Sequence, residues 1–355
     1  MQKNAREKQN PQIAQTFGGR IGYNGKTDMT WHTPEEAALL VVQRRAMNDD
    51  FEVSFPRLDF PQGTEAALDA LDEVTRIERM LSVFRFDSRI QYVNLTAHEN
   101  PVHIDKELFD LIALCVKLAE ETGGAVDITS GNLWKVWGFA KGQGRIPTAD
   151  ELDNARALTG WHFLELDESA QTIQFKKQGI ELNFGCVGKG FALDIAAKKL
   201  REHAVERFLF SGGLSSMLAS GSGWKIGIAH PLRHGQRLRE LTLNDVAVST
   251  SGSQKQFFRH GGRRYSHLID PRTGQPAEGV YTATVLAPTA TLAELLSTAF
   301  FILGAEKAAE YCRTHPDVSA VLTIPSDNAP FRNAPDLEFG TLKSLGELCT
   351  IELGL

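Results

Sequence analysis

The sequence lacks the features that mark several large classes of protein. It has only 4 cysteines in 355 residues, at Cys115, Cys186, Cys312 and Cys349. They form no CxxC pair and no Cys/His cluster with zinc-ligand spacing, so buried or incidental thiols are the default interpretation. No run of residues approaches the roughly 20 apolar residues that span a bilayer. The formal net charge of -6 gives no general attraction to nucleic acid or to an anionic membrane. These absences argue against an integral membrane protein, a disulfide-stapled miniprotein and a basic nucleic-acid-binding domain.

The start of the chain also lacks sustained hydrophobic periodicity. Residues 1–45 are mostly polar and predict a loosely ordered extension, with the main domain at 46–355. The first 19 residues include basic side chains but no apolar stretch, so the sequence as it stands predicts no secretory signal. We therefore expect a cytoplasmic protein, or a periplasmic or membrane-associated one where an upstream signal has been removed.

The hydrophobic patterns that are present predict an α+β fold. Apolar residues at helical spacing predict helices over 68–81, 105–122 and 292–303, with Asp105 as an N-cap and Gly304 as a stop, and a further helix after Gly190. Strand-like segments occur at 51–55, 163–166, 172–175, 207–210, 225–228, 241–243 and 282–286. The absence of a regular βαβ alternation argues against a doubly wound parallel sheet.

A glycine-rich turn at 183–190 is the densest chemical signal. It lies between a strand-like ELNF segment and the predicted helix, with glycines at 185, 188 and 190. Backbone N–H groups opening that helix, together with Lys189, could hold phosphate oxygens. The spacing matches neither a Walker A loop nor a dinucleotide fingerprint. On spacing alone, a purely structural turn is the favoured alternative.

Three further segments carry candidate groups. His267 and Asp270 bring an imidazole and a carboxylate to a Pro-Gly turn, where the alternative is a histidine bonded to backbone. Glu294, Ser297 and Thr298 share a helix face and form a hard-oxygen set for Mg²⁺ or Ca²⁺, unless they are an ordinary polar stripe. The fourth segment, TGGAVDIT at 122–129, runs from a helix stop into a strand-like stretch with one carboxylate, and turn chemistry suffices to explain it.

The order of these segments along one chain resembles that of the ApbE-type FAD:protein FMN transferase family over residues 46–304. The resemblance rests on RIERMLSVFRFDSRIQYVN (76–94), TGGAVDIT (122–129), LNFGCVGKGFALD (182–194), VSTSGS (248–253), YSHLIDPRTGQP (265–276) and LAPTATLAELLSTAFFILG (286–304). It implies an α+β fold of layered mixed or antiparallel sheets with flanking helices and an active site in a cleft between two lobes. It also implies Mg²⁺-dependent transfer of the FMN half of FAD to a threonine hydroxyl of a target flavoprotein, with AMP leaving.

The resemblance also assigns residues to roles. The catalytic pair would be His267 and Asp270. FAD, the substrate, would contact Met47, Phe84, Ala125, Val126, Asp127, Asn183, Lys189 and Leu268. Mg²⁺ would take the backbone carbonyl of Cys186 and the side chains of Glu294, Ser297 and Thr298. No nucleic acid and no integral membrane segment are expected.

Four positions in three segments depart from the family pattern. The chain has Met47-Asn48-Asp49 where the family usually has Met-Gly-Thr, Asn183 in place of an aspartate, and Glu294 in place of an aspartate. Octahedral Mg²⁺ tolerates displaced ligands poorly, so the longer glutamate predicts weaker binding or a changed ion preference. Two other functions therefore stand beside flavin transfer: a FAD pyrophosphatase releasing FMN and AMP, and a FAD-binding protein with weakened catalysis.

Overall fold

The structure, a computed structural model, describes residues 12–15, 39–253, 256–325, 340–344 and 348–355. The chain divides into two compact units, Met1–Glu78 with Ala192–Ala247, and Arg79–Phe191 with Val248–Leu355. Most of the predicted N-terminal extension, residues 1–11 and 16–38, lies outside the described residues.

The described residues contain seventeen strands and eight α-helices. The strands are β1 Gln12–Gln15, β2 Leu39–Ala46, β3 Asp49–Pro56, β4 Val102–His103, β5 Leu164–Asp167, β6 Thr172–Phe175, β7 Phe208–Gly212, β8 Ser216–Ser220, β9 Trp224–Ala229, β10 Arg237–Leu243, β11 Ala247–Gly252, β12 Phe257–His260, β13 Arg263–Ser266, β14 Thr282–Ala287, β15 Ser319–Pro325, β16 Gly340–Ser344 and β17 Leu348–Leu353. The helices are α1 Gly63–Leu81, α2 Arg89–Thr96, α3 Lys106–Glu121, α4 Gly131–Val136, α5 Ala149–Ala157, α6 Gly188–Glu202, α7 Ala290–Leu303 and α8 Ala305–Thr314. Short 3₁₀ turns cover Phe139–Lys141 and Trp161–Phe163.

The first unit is built on antiparallel strands in the order β1-β2-β3-β7-β8, with a separate β9–β10 hairpin. Strands β2 and β3 are joined by a two-residue turn, Met47-Asn48, in which both residues have positive φ. A two-residue hairpin turn whose twist matches that of its strands needs positive φ at both positions, and asparagine tolerates positive φ better than most residues. Helix α1 buries Leu71, Val74 and Ile77 at helical spacing.

The second unit holds all but one of the predicted site residues. Its strands follow the order β11-β14-β15-β17-β16, with a three-stranded sheet β4-β6-β5 and a β12–β13 hairpin. Helix α3 begins after the predicted N-cap Asp105, whose side chain accepts the N–H of Leu108, and stops before Gly123 and Gly124, both at positive φ. None of the helices in the described part of the chain is long and apolar enough to cross a membrane.

The α+β prediction is confirmed, and the predicted helices and the seven strand-like segments from 51–55 to 282–286 each correspond to an observed element. Two strand-like segments are not strands. Residues 125–129 form turns, and ELNF at 181–184 has a single isolated bridge, because the N–H and carbonyl of Leu182 bond to the side chain of Asn94 instead. Helix α6 starts at Gly188, before the predicted start, and β2 extends from Leu39, inside the predicted extension. The domain boundary at residue 46 itself stays a prediction.

Candidate functional site

Helix α7 carries the predicted metal-binding side chains in an almost fully buried position. Thr289 caps the helix by accepting the N–H of Leu292. Glu294, Ser297 and Thr298 are only 5%, 0% and 8% exposed, so the polar-stripe alternative, which requires a solvated face, is wrong. A buried carboxylate and two buried hydroxyls are costly to desolvate unless they have partners.

The carboxylate of Glu294 finds a partner in the glycine-rich turn. Its Oε2 accepts the N–H of Gly190 at 2.6 Å, at the start of α6. A Cβ on Gly190 would lie less than 3.0 Å from the carbonyl of Ala290, so only glycine allows this approach between the two helices. The anion at the N-terminus of α6 is therefore the protein's own carboxylate, and the Gly190 N–H is not available to a phosphate.

Residues of β11 supply hydroxyl partners for α7. Ser251 Oγ lies 2.9 Å from Ser297 Oγ and 3.2 Å from Thr298 Oγ1. Ser297 Oγ also donates to the carbonyl oxygen of Glu294 at 2.9 Å. The VSTSGS segment thus contacts the predicted metal ligands directly, a role that its sequence did not reveal.

The glycine-rich turn is held by its own side chains and backbone. Asn183 Oδ1 accepts the N–H of Gly185 at 2.8 Å, and the N–H of Asn183 donates to the carbonyl of Ile128 at 2.7 Å. The N–H groups of Val187 and Gly188 both donate to the carbonyl of Phe184. This is an Asx turn, which an aspartate would form equally well.

Replacing Asn183 should therefore separate its structural role from its charge. Asn183→Asp keeps an acceptor for the Gly185 N–H, and we expect a change in unfolding free energy within about 0.5 kcal/mol. Asn183→Ala loses the acceptor and should cost about 1 kcal/mol. Urea unfolding of the two variants checks this; equal destabilisation by both substitutions would contradict the Asx role.

The thiol of Cys186 is not suited to catalysis or metal binding, and the role of its backbone carbonyl stays a prediction. Burial, and secondly the nearby carboxylate of Glu294, raises the pKa of the Cys186 thiol to about 12. The thiol is therefore protonated at neutral pH and is neither a nucleophile nor a thiolate ligand. Asp127 contributes less to the same rise in pKa, so the charges of Asp127 and Glu294 both act on the Cys186 thiol.

Asp127 organises the turn that follows α3. Its carboxylate accepts the N–H and the hydroxyl of Thr129, and also the N–H of Trp161, at 2.7–2.8 Å. Burial raises the pKa of Asp127, although these bonds oppose the rise. Ala125 and Val126 are buried beside it. The structure thus accounts for the carboxylate as the centre of a tight turn, as the residue pattern indicated.

His267 is half-buried after β13, and its imidazole is oriented by backbone. Nδ1 lies 2.9 Å from the carbonyl oxygen of Gln256. A carbonyl can only accept, so Nδ1 carries the proton in the neutral ring and Nε2 keeps its lone pair. The ring of Phe139 meets the imidazole edge-on, with centroids 6.4 Å apart. Burial, and also the charge of Lys189, lowers the pKa of His267. The imidazole is therefore neutral at pH 7, as a general base must be.

Asp270 shapes the turn after His267. Its carboxylate accepts the N–H of Arg272 and forms a two-pronged ion pair with the Arg272 guanidinium at 2.8 Å. Its carbonyl accepts the N–H groups of Thr273 and Gly274. Leu268 is half-buried, and its carbonyl accepts the N–H of Ala277. Asp270 therefore holds the segment that carries His267, and its part in the reaction stays a prediction.

The remaining predicted flavin contacts differ in exposure. Phe84 is 69% exposed and its ring meets Trp134 edge-on at 6.3 Å, so an apolar face stands open to solvent. Lys189 lies in the first turn of α6. Met47 belongs to the other unit, where its N–H donates to Glu78 Oε1 at 2.7 Å. The neighbouring Asn48 fits its turn without strain because asparagine accepts the left-handed conformation.

The four sequence segments come together within the second unit. Gly190 and Glu294 join the glycine-rich turn to α7, and Asn183 joins it to the TGGAVDIT turn through Ile128. A Cβ on Gly124 would lie 3.5 Å from Arg272, which places the TGGAVDIT turn against the HLIDPRTG turn. Lys189 and His267 interact electrostatically. Sequence reasoning assigned no role to Ser251, Gln256 or Phe139; of these residues, only Ser251 lies within a quoted motif, VSTSGS.

The donor set fits a hard divalent cation. Glu294, Ser297 and Thr298 offer buried oxygen atoms, which are the ligands that Mg²⁺ and Ca²⁺ take. Within the described ranges no group of three or more His, Cys, Asp or Glu side chains could hold a metal ion. A site here would therefore depend on hydroxyl and backbone oxygens as well as on Glu294.

Solved structures share this architecture. The chain is similar to the crystal structure of the ApbE protein from Thermotoga maritima, with a TM-score of 0.73 and 27% identity, covering 80% of this chain and 94% of that one. It is equally similar to the apo flavinyl transferase ApbE of Pseudomonas stutzeri, with a TM-score of 0.73 and 25% identity over 89% and 94% of the two chains. Fold and site together define a protein of the flavin-transferase class.

Sequence relatives agree. A protein named FAD:protein FMN transferase from Salmonella typhimurium is 30% identical over 319 residues, 87% of this chain and 91% of that protein. One of the same name from Treponema pallidum is 32% identical over 281 residues, 72% and 77% of the two chains. The ApbE family model matches residues 47–322. The chain belongs to the ApbE family.

Proposed function

We propose that this protein transfers the FMN moiety of FAD to a threonine hydroxyl of a target flavoprotein in a Mg²⁺-dependent reaction. The threonine oxygen attacks the phosphorus on the FMN side of the pyrophosphate. A new phosphorus–oxygen bond forms to threonine, and the bond to the bridging oxygen breaks, so that AMP leaves. The hydroxyl proton must pass to a base. The family match over residues 47–322 supports assigning this activity to the region 46–355.

The observation that carries the proposal is the fixed tautomer of His267. Its Nδ1–H donates to the carbonyl of Gln256, so Nε2 is the nitrogen left to accept the proton of threonine. Its lowered pKa keeps the ring unprotonated at pH 7. The same backbone carbonyl also fixes the orientation of the imidazole ring, and a general base must be correctly oriented as well as unprotonated. Asp270 and Arg272 stabilise the turn that presents His267.

A cation would be held by the backbone carbonyl of Cys186 together with Glu294, Ser297 and Thr298. When bound, Mg²⁺ would neutralise charge that develops on the non-bridging phosphate oxygens. The protein's own part is to keep Glu294 in place through Gly190 and to exclude bulk water by burying α7. The exposed ring of Phe84 offers an apolar face to isoalloxazine, and Lys189 adds positive charge for phosphate.

Nucleotide chromatography separates this function from its two alternatives. The purified chain is incubated with FAD and Mg²⁺, with and without a threonine-bearing acceptor domain. We expect AMP release that depends on the acceptor, with no free FMN. Rapid release of AMP and FMN without acceptor would establish a FAD pyrophosphatase, and FAD binding with no AMP under any divalent metal would establish a weakened binding protein.

The pH dependence of transfer should follow His267. Because the pKa of His267 lies below its ordinary 6.5 in the folded protein, the imidazole stays neutral until the pH falls below that value. We expect kcat/KM for FAD to be flat near pH 7 and to decline in an acid limb centred below pH 6.5. Stopped assays from pH 5 to 8 measure this. An acid limb centred above pH 6.5 would contradict the assignment of the base.

A further inference from the structure

Three hydroxyl groups and one carbonyl form a continuous chain beside the predicted cation ligands. In order, it consists of Thr298 Oγ1, Ser251 Oγ, Ser297 Oγ and the carbonyl oxygen of Glu294. The successive separations are 3.2, 2.9 and 2.9 Å. Each hydroxyl has one proton to donate, whereas the carbonyl can only accept, and this asymmetry fixes the direction of the chain.

The directions follow by counting protons from the carbonyl end. Ser297 has one proton and can donate it to the carbonyl oxygen of Glu294 at 2.9 Å or to Ser249 Oγ at 3.4 Å. The shorter bond to the carbonyl takes the proton, so the Ser297 oxygen accepts at its contact with Ser251. Ser251 therefore donates to Ser297, and having no second proton it must accept at its contact with Thr298. Thr298 is consequently a donor to Ser251. Its oxygen keeps its lone pairs, whereas Ser297 already uses one to accept from Ser251.

Without Ser251, the threonine would have a competing partner in its own helix. A threonine hydroxyl in a helix commonly donates to the carbonyl three or four residues earlier, which for Thr298 includes that of Glu294. That carbonyl already accepts the hydroxyl of Ser297. Ser251 gives the Thr298 proton an acceptor outside the helix and so holds the hydroxyl in one orientation.

We propose that Ser251 is a positioning residue that accepts the hydroxyl proton of Thr298 and thereby keeps the Thr298 oxygen available to the divalent cation of flavin transfer. This inference rests on the proposed function, because it assumes a cation at α7. It also distinguishes the two hydroxyls of α7. The Thr298 hydroxyl is the proposed ligand that depends on Ser251, whereas the Ser297 hydroxyl mainly links the hydrogen-bond chain to the carbonyl of Glu294.

Cation binding by the full chain tests the proposal without FAD or acceptor. Mn²⁺ alone is titrated into the protein and free Mn²⁺ is measured by electron paramagnetic resonance, since Mn²⁺ takes the oxygen ligands that suit Mg²⁺. Removing a residue that orients a ligand typically weakens metal affinity about 10–100-fold. We expect a loss in this range for Ser251→Ala. In a separate assay with FAD and an acceptor domain, AMP release by this variant should recover at high Mn²⁺.

The same strand offers a matched control. Thr250 precedes Ser251 and points to the opposite face of β11, where its Oγ1 contacts Thr284 Oγ1 at 2.9 Å. Thr250→Val removes one hydroxyl and one hydroxyl pair, yet should leave Mn²⁺ affinity unchanged. Ser251→Thr keeps a hydroxyl and should retain most of the affinity. Ser251→Cys introduces a thiol, which is of similar size but a weak hydrogen-bond acceptor, so it should lose as much Mn²⁺ affinity as Ser251→Ala. This second variant keeps the test valid if Ser251→Ala folds poorly.

The outcomes are distinct. Wild-type affinity in the folded Ser251→Ala or Ser251→Cys variant would overturn the proposal, and so would an equal loss in Thr250→Val. A wild-type chain that binds Mn²⁺ neither alone nor with FAD would overturn this inference together with the cation in the proposed function. A wild-type chain that binds Mn²⁺ but transfers no FMN would contradict the proposed function alone.

Discussion

Replacing His267 by alanine is expected to lower the rate of FMN transfer about 10²–10⁴-fold, the usual contribution of a positioned general base. Nε2 of His267 is the unprotonated nitrogen of a ring held by Gln256, and alanine removes it. Mn²⁺ affinity should stay near the wild-type value, because the proposed cation ligands lie on other segments. Single-turnover assays with FAD and an acceptor domain measure the rate.

His260 provides the control for this variant. It is an exposed histidine of the β12–β13 hairpin, close to His267 in sequence. His260→Ala should transfer FMN at the wild-type rate. Full transfer activity in a folded His267→Ala variant would show that His267 is not the base. An equal loss of activity in His260→Ala would show that the effect comes from disturbing the β12–β13 hairpin.

Replacing Gly190 by alanine should destabilise the protein and also impair cation binding. The added Cβ would lie less than 3.0 Å from the carbonyl of Ala290, a backbone group with no side-chain freedom to move away. Overpacking of this kind costs about 1–3 kcal/mol or more. The shift would also stretch the bond from the Gly190 N–H to Glu294 and displace that carboxylate. Thermal unfolding and Mn²⁺ titration measure the two effects.

Gly188, the first residue of α6, offers a control that distinguishes a steric clash from a change in helix propensity. A Cβ there would meet only the Leu81 Cδ1 at 3.8 Å, an ordinary contact. Because alanine favours helix over glycine, Gly188→Ala should be neutral or stabilising by up to about 1 kcal/mol. If Gly190→Ala is as stable as Gly188→Ala, the close approach between α6 and α7 is not what requires glycine at 190.

Local patterns in the sequence were sufficient for the helices and most strands, and failed where side chains replace backbone pairing. Alternation at 181–184 indicated a strand, but Asn94, which lies 88 positions before Leu182, takes both backbone groups of that residue. At 125–129 the carboxylate of Asp127 accepts the bonds that a ladder would otherwise make. Such partners are distant in sequence or belong to turn chemistry that periodicity does not record.

The sequence predicted which residues belong to the candidate site, but not the hydrogen bonds that connect them. Glu294 was identified as a candidate ligand, whereas its bond to Gly190, 104 positions away, needs the tertiary structure. Ser251 lay within a recognised motif, yet nothing in its spacing linked it to α7. The structure also reinterprets two departures from the family pattern, since Asn183 forms an Asx turn and Asn48 adopts the conformation usual for glycine.

Glu294 remains the departure with chemical consequence. Its Oε2 accepts the N–H of Gly190, so part of the carboxylate is committed to the fold. Octahedral Mg²⁺ demands near-ideal ligand placement, and a shared carboxylate is a less adaptable ligand. The Mn²⁺ titrations described above, repeated with competing Mg²⁺ and Ca²⁺, would establish which ion this arrangement prefers.

The central claim is that a threonine of another protein receives FMN. The most direct measurement is the intact mass of a candidate acceptor domain after incubation with this protein, FAD and Mg²⁺, alongside the same domain with its acceptor threonine replaced by alanine. The account predicts an FMN-sized mass increase only when the threonine is present, and none with His267→Ala. Acceptor domains that all keep their original mass while AMP and free FMN accumulate would contradict it.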